Sequence, residues 1–211
     1  MAGYRVPGPA GMANNAAVDA GTLGRTATSR PGPAGTQGGA GAALNERPMV
    51  KSDARLDQIR ALVQANNRSS LAEDLIICQI YMESRFDANA RSSSSSAKGL
   101  MQVLVIAVKQ VFQSRKEKEL GHKIQDRKTL DACFAAGKAL HASPAILDEV
   151  VNIQIGTEYM QCCLDQTSSV EGAYKLYRGV SNGMYYNKIK SAAAKLKTNP
   201  GDMNILLDMV K

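Results

Sequence analysis

Leu71, Leu75, Ile76, Ile77 and Ile80 make the stretch after Ser70 apolar on most sides of a helix, and that helix ends in Glu83. A helix apolar all round has no face to give to water, so it must run through the middle of a domain with other helices laid around it. Ser70 and Glu73 have the spacing of a capping box, which predicts where the helix begins.

Its neighbours follow from the same periodicity. Leu56, Ile59, Leu62 and Val63 fall on one face of a helix that opens near Ser52 and stops at Asn66 and Asn67. The polar stretch from Asp87 to Lys98 contains five consecutive serines and predicts a loop, and the pattern is helical again from Gly99 to about Phe112. Residues 114–147 are charged and interrupted by Gly121, Gly137 and Pro144, which predicts an irregular helical insertion. A helix over Asp148 to Leu164 turns Ile153, Ile155, Tyr159 and Met160 inward, and shorter helices are predicted over 170–178, 182–196 and 203–210. The fold class is therefore all-α, with one folded domain over residues 52–211.

Residues 1–51 read differently. The first 50 hold ten of the 18 Gly and five of the seven Pro, and they repeat PGPAG at 7–11 and 31–35. Such a segment cannot bury enough apolar surface to offset its ordering entropy, so a disordered tail is expected, serving as a delivery segment or tether. No charged start followed by an apolar run marks a secretory signal, and no run is long enough to span a bilayer. Export without a general signal peptide is the expectation, through a specialised secretion system whose components would be partners.

The net charge is +7, and four Arg against Asp19 and Glu46 leave most of the excess to the folded part. A basic surface is compatible with any anionic polymer, but no nucleic-acid motif and no aromatics interleaved with the basic residues point to a nucleic-acid binder. Cys78, Cys133, Cys162 and Cys163 lack metal-ligand spacing, and His122 and His141 are the only histidines, so neither metal nor cofactor is expected. Cys78 and one of the adjacent pair read as buried small hydrophobes; in an oxidising compartment Cys133 would be placed to bridge Cys162 or Cys163.

Chemistry centres on Glu83. A carboxyl at the C-terminal end of an apolar helix faces burial and the negative helix end, and both favour its protonated form. A carboxyl kept protonated near neutral pH is what protonating the leaving oxygen of a glycosidic bond requires.

Four strings then occur in order: ESRFDANA from Glu83, AKGLMQ from Ala97, NIQIGTEYM from Asn152 and AYKLYRG from Ala173. Together they resemble the soluble lytic transglycosylases, relatives of goose-type lysozyme, over about Leu56 to Ile189. The resemblance implies cleavage of peptidoglycan glycan strands, with Glu83 as the single catalytic acid and base and Ser84 and Phe86 completing its motif. It implies sugar contacts for Met101 and Gln102, places Asn152 on a helix segment facing Glu83, and puts Tyr159 two turns further on. Gly156 would allow close helix approach, and Tyr177 would lie near the catalytic carboxyl. The implied substrate-binding set is thus Ser84, Met101, Gln102, Asn152, Tyr159 and Tyr177.

The sequence departs from the family pattern at three places. Arg178 replaces the usual Asn, Ser96 stands where Gly is usual, and about fifty residues separate Gln102 from Asn152. Asp87 and Glu158 are the nearest second carboxylates, and they read as a turn residue and a solvated helix face. The resemblance implies a one-carboxyl, 1,6-anhydro-forming cleavage, which fits the want of a second carboxylate; the expected setting is the periplasm or outside the cell, and the expected role a secretion-associated enzyme or exported effector. The alternatives are a hydrolytic muramidase on the same fold and a non-catalytic peptidoglycan-binding or secretion-assembly module.

Overall fold

A computed structural model describes residues 49–179 and 183–211. The tail expected over residues 1–51 lies outside the described residues as far as 48, and Met49 already belongs to the first helix. Eight α-helices follow in the described residues: α1 (Met49–Asn66), α2 (Glu73–Ser84), α3 (Val105–Leu120), α4 (Arg127–Ala142), α5 (Glu149–Leu164), α6 (Val170–Arg178), α7 (Met184–Thr198) and α8 (Met203–Met209). Extended pairing among them is limited to two single bridges, Arg91 with Lys98 and Lys98 with Val103. The all-α class stands, and no described helix is long and apolar enough to cross a membrane.

α2 occupies the centre, as its pattern requires. Ile76, Ile77, Cys78, Gln79 and Ile80 have no exposed surface, and α1, α7 and α8 pack around the helix. α5 forms the second axis, against α1, α3 and α6. Leu56, Ile59 and Val63 turn into the core from α1, and Leu62 packs at its edge.

Several local expectations give way to tertiary contacts. No capping box forms: α2 begins at Glu73 behind Ala72, while the Ser70 amide donates to Gln161 on α5 (2.8 Å). Glu73 and Asp74 instead pair with Arg60 of α1 at 2.8 and 2.9 Å, because two carboxylates beside one guanidinium outweigh a local cap. Residues 99–104 are not helical but form a tight turn, and α3 starts only at Val105. The insertion is also more regular than its composition predicts. α3 continues to Leu120, Asp126 caps α4 by accepting from the Thr129 amide (2.7 Å), and the two helices pack together. Gly137, which reads as a breaker, is the contact point, since a Cβ there would lie 2.9 Å from Lys109 Cα.

Cys78 and Cys163 are buried, as expected of small hydrophobes, and all four cysteines are free in this structure, with no bridge from Cys133 to Cys162 or Cys163.

Candidate active site

Glu83 sits in the last turn of α2, and the chain leaves that turn through two successive non-glycine residues with positive φ, Arg85 at 55° and Phe86 at 66°. Left-handed backbone costs L-residues roughly 1–2 kcal/mol each, so the turn persists only because its surroundings fix it. Those surroundings are specific. The Arg85 guanidinium donates to the Tyr81 and Met82 carbonyls at 2.7 and 2.8 Å, satisfying the free end of α2. Phe86 is buried edge-on against Tyr81, with ring centroids 5.0 Å apart. Arg55 of α1 donates to the Phe86 carbonyl (2.9 Å) and is ion-paired with Glu149 of α5, so both helices hold the turn. The Ser84 hydroxyl bonds back to the Ile80 carbonyl (3.2 Å).

The Glu83 carboxyl is half-buried and accepts a hydrogen bond from the Tyr185 hydroxyl of α7. Burial raises its pKa from 4.5 to about 7, while the Tyr185 hydrogen bond and the Arg178 and Arg85 charges pull the other way. Arg178 lies over the Tyr185 ring, 4.3 Å from its centroid. The residue that departs from the family pattern therefore stacks on the ring that holds the carboxyl. At neutral pH the group is poised between acid and base, having both the partial burial that keeps a proton and the donor that steadies the anion once the proton leaves.

The AKGLMQ turn, Ala97–Gln102, is built around Asn152. This fully buried amide accepts from the Met101 N–H (2.8 Å) and donates to the carbonyls of Lys98 (3.0 Å) and Ile146 (2.8 Å). Gly99 has φ +75°, and a Cβ there would fall 2.2 Å from Asn152 Nδ2, so the position admits no side chain. Gln102, at φ 46°, donates to the Gly99 and Ala90 carbonyls (2.9 and 3.2 Å). Met101 is buried against Gly156 of α5, where a Cβ would meet its sulfur at 2.5 Å. The Tyr177 hydroxyl donates to the Met101 carbonyl (2.9 Å), and its ring packs on Tyr159 with centroids 5.2 Å apart.

The sequence-selected residues thus divide. Glu83 keeps an open face, and Tyr177, whose pKa is raised first by burial, lies close enough for the Glu83 charge to raise it further. Met101, Asn152, Tyr159 and Tyr177 have essentially no exposed surface, and Ser84 and Gln102 have little. Their side chains are enclosed by protein in this structure. Gln102, Asn152 and Tyr177 bond the Ala97–Gln102 turn, Met101 is buried within it, Tyr159 packs on Tyr177, Ser84 bonds back within α2, and Asn152 faces the turn, not the Glu83 carboxyl. Asp87 accepts from the Asn89 amide (2.8 Å) as a turn residue, and Glu158 forms a two-pronged pair with Arg115 (2.7 and 2.9 Å).

Sequence reasoning missed Tyr185 and the brace behind the turn. His141, in the last turn of α4, places Nε2 2.8 Å from the Ser96 carbonyl and 3.2 Å from that of Val103, so Nε2 carries the proton. Lys98 returns a bond to the His141 carbonyl (2.8 Å), and Ser96 Oγ accepts from the Val105 amide (3.2 Å). The insertion and the unusual serine therefore share one task, buttressing the turn.

This fold and site define an α-helical, lysozyme-like domain with one acid at the end of its central helix. Residues 60–200 match the transglycosylase SLT domain, and the chain belongs to that family, whose members are lytic transglycosylases of peptidoglycan. No curated protein and no solved structure matches the chain at a significant level.

Proposed function

We propose that the protein cleaves the β-1,4 bond between N-acetylmuramic acid and N-acetylglucosamine without water, leaving a 1,6-anhydro end, with Glu83 as both acid and base. The observation that carries this reading is the Glu83 carboxyl itself: half-buried, with its pKa raised to about 7, and held by the Tyr185 hydroxyl. Protonated Glu83 gives its proton to the glycosidic oxygen as the bond to C1 breaks, and the muramyl N-acetyl oxygen assists at C1. The sugar's own 6-hydroxyl then closes on C1 and its proton returns to Glu83, so no water is consumed. Intramolecular attack gains from proximity and removes the need for a second carboxylate to activate water. Asp87 and Glu158, the two other candidates, are engaged as turn and ion-pair residues, which favours the one-carboxyl route.

Mass spectrometry of products from purified peptidoglycan tests the reading. Muropeptides with 1,6-anhydro ends are expected. Reducing ends would establish the hydrolytic muramidase instead, and intact glycan strands would leave a binding module.

We further propose that the protein acts in the periplasm or outside the cell, delivered by a specialised secretion system as an effector or accessory enzyme. The Gly/Pro-rich composition of residues 1–51 supports this assignment.

A further inference from the structure

Gln79 lies one helical turn before Glu83 on α2 and has no exposed surface. Neither its amide nitrogen nor its amide oxygen has a hydrogen-bond partner among the described residues. A buried amide with both ends unpaired is disfavoured relative to an apolar side chain of the same size, and buried side chains of native proteins are rarely left so. Its helix is otherwise apolar here, since Ile76, Ile77 and Ile80 beside it in sequence are all fully buried.

The helix supplies the reason. Side chains at i and i+4 lie one above the other, and the Cα–Cβ bond tilts toward the helix N-terminus, so Gln79 and Glu83 share one face of α2 within reach of a rotamer change. We propose that Gln79 is a positioning residue for the Glu83 carboxyl, its amide accepting from the protonated acid and donating to the carboxylate in alternate halves of the reaction. This rests on the assignment of Glu83 as acid and base.

An amide is suited to that alternation because it carries both an acceptor oxygen and two N–H donors, and it exchanges no proton itself. Tyr185 steadies the carboxyl from α7; Gln79 would do so from within α2, as the carboxyl turns from acid to anion and back. The other groups around Glu83 are Arg178, Tyr174 and Tyr177 from α6, and Arg85 at the end of α2. None of these can change from acceptor to donor without a change of charge or a loss of its present contact: Tyr177 is committed to the Met101 carbonyl, and the Tyr174 hydroxyl lies 3.4 Å from that of Leu75.

The test is Gln79→Met, which keeps side-chain length and helix preference and removes only the amide, with Gln79→Leu as the second variant should Met fail to fold. Turnover on purified peptidoglycan, its pH profile and the thermal melting temperature are measured for each full-length protein. We expect kcat to fall at least about tenfold with KM little changed, and the melting temperature to hold or rise. The alkaline limb of the profile should move to higher pH, because a donor to an anion contributes more than an acceptor from a neutral acid. Unchanged kcat with an unshifted limb in a folded variant overturns the proposal, as does a fall in kcat that follows melting temperature alone with the limb in place. An inactive wild-type protein would refute instead the assignment of Glu83 on which the proposal stands.

Discussion

The Tyr185 hydroxyl donates to the Glu83 carboxyl, joining the first turn of α7 to the last turn of α2 across 102 residues of chain. Arg178, just before the connection into α7, lies over the same ring, so three elements converge on one carboxyl. Burial alone would leave an acid that releases its proton only reluctantly. The phenol and the guanidinium lower that cost for the anion without removing the burial that sets the group near neutrality.

Glu83→Gln should abolish cleavage while the domain still folds. The amide has nearly the volume of the acid but cannot give and retake a proton, so turnover should fall at least about a hundredfold. Asp87→Asn and Glu158→Gln should do far less, since their contacts lie in a turn and a surface ion pair. Zymography with melting curves of the three variants checks this, and an equal loss from Glu158→Gln would place the chemistry elsewhere.

With the Glu83 pKa raised to about 7, activity should decline as pH rises through that value, because the protonated form starts the reaction. Stability follows the same sign. The folded protein keeps a proton that the unfolded chain releases near 4.5, so this contribution is full below that pH and is lost as pH rises through about 7. Relative to wild type, Glu83→Gln should therefore melt comparatively higher at pH 8 than at pH 5. A difference independent of pH would show that the carboxyl is not held as the structure places it.

Tyr185→Phe removes a donor that stabilises the ionised form, so the Glu83 pKa should climb and the alkaline limb move upward. Loss of one hydrogen bond to a charged group is worth about tenfold or more in rate. Kinetics across pH 5–9 would show both effects, and a profile identical to wild type would remove Tyr185 from the site.

Gly99→Ala and Gly121→Ala form a matched pair. Both glycines have φ near +72° to +75°, but a Cβ at Gly121 meets nothing within 4 Å, whereas at Gly99 it strikes Asn152 at 2.2 Å. The first substitution should destabilise by more than about 3 kcal/mol and the second by about 1 kcal/mol. Denaturant melts compare them directly. Similar costs would mean that Asn152 can yield.

Removing residues 1–48, so that the chain begins at α1, should leave cleavage of isolated cell wall intact, since Arg55 and the contacts to Glu83 among the described residues lie beyond the cut. Assay of the truncated protein beside the full chain tests this. A folded truncation without activity would give those residues a part in the chemistry.

The amphipathic and all-apolar patterns of α1, α2, α5 and the short C-terminal helices were legible because burial imposes a period that residue type records locally. Glu83 is singled out by the four strings in order and not by its place on α2 alone, since a helix-end carboxylate is more often simply solvated. The start of α2 was misread because Arg60, thirteen residues earlier, captures Glu73 from its expected cap. The regularity of α4 was hidden because Gly137 breaks helices in isolation but here admits a neighbouring backbone.

By itself, then, the sequence determined a helical domain built around α2 and the place of Glu83 at the end of that helix. Both are consequences of local order, of spacing and of polarity along the chain. Tertiary structure alone decided that Asn152 clamps a turn, that His141 braces that turn, and that Tyr185 holds the carboxyl. Each of these rests on hydrogen bonds between elements far apart in the chain, and no local periodicity encodes which donor will meet which acceptor once the helices pack.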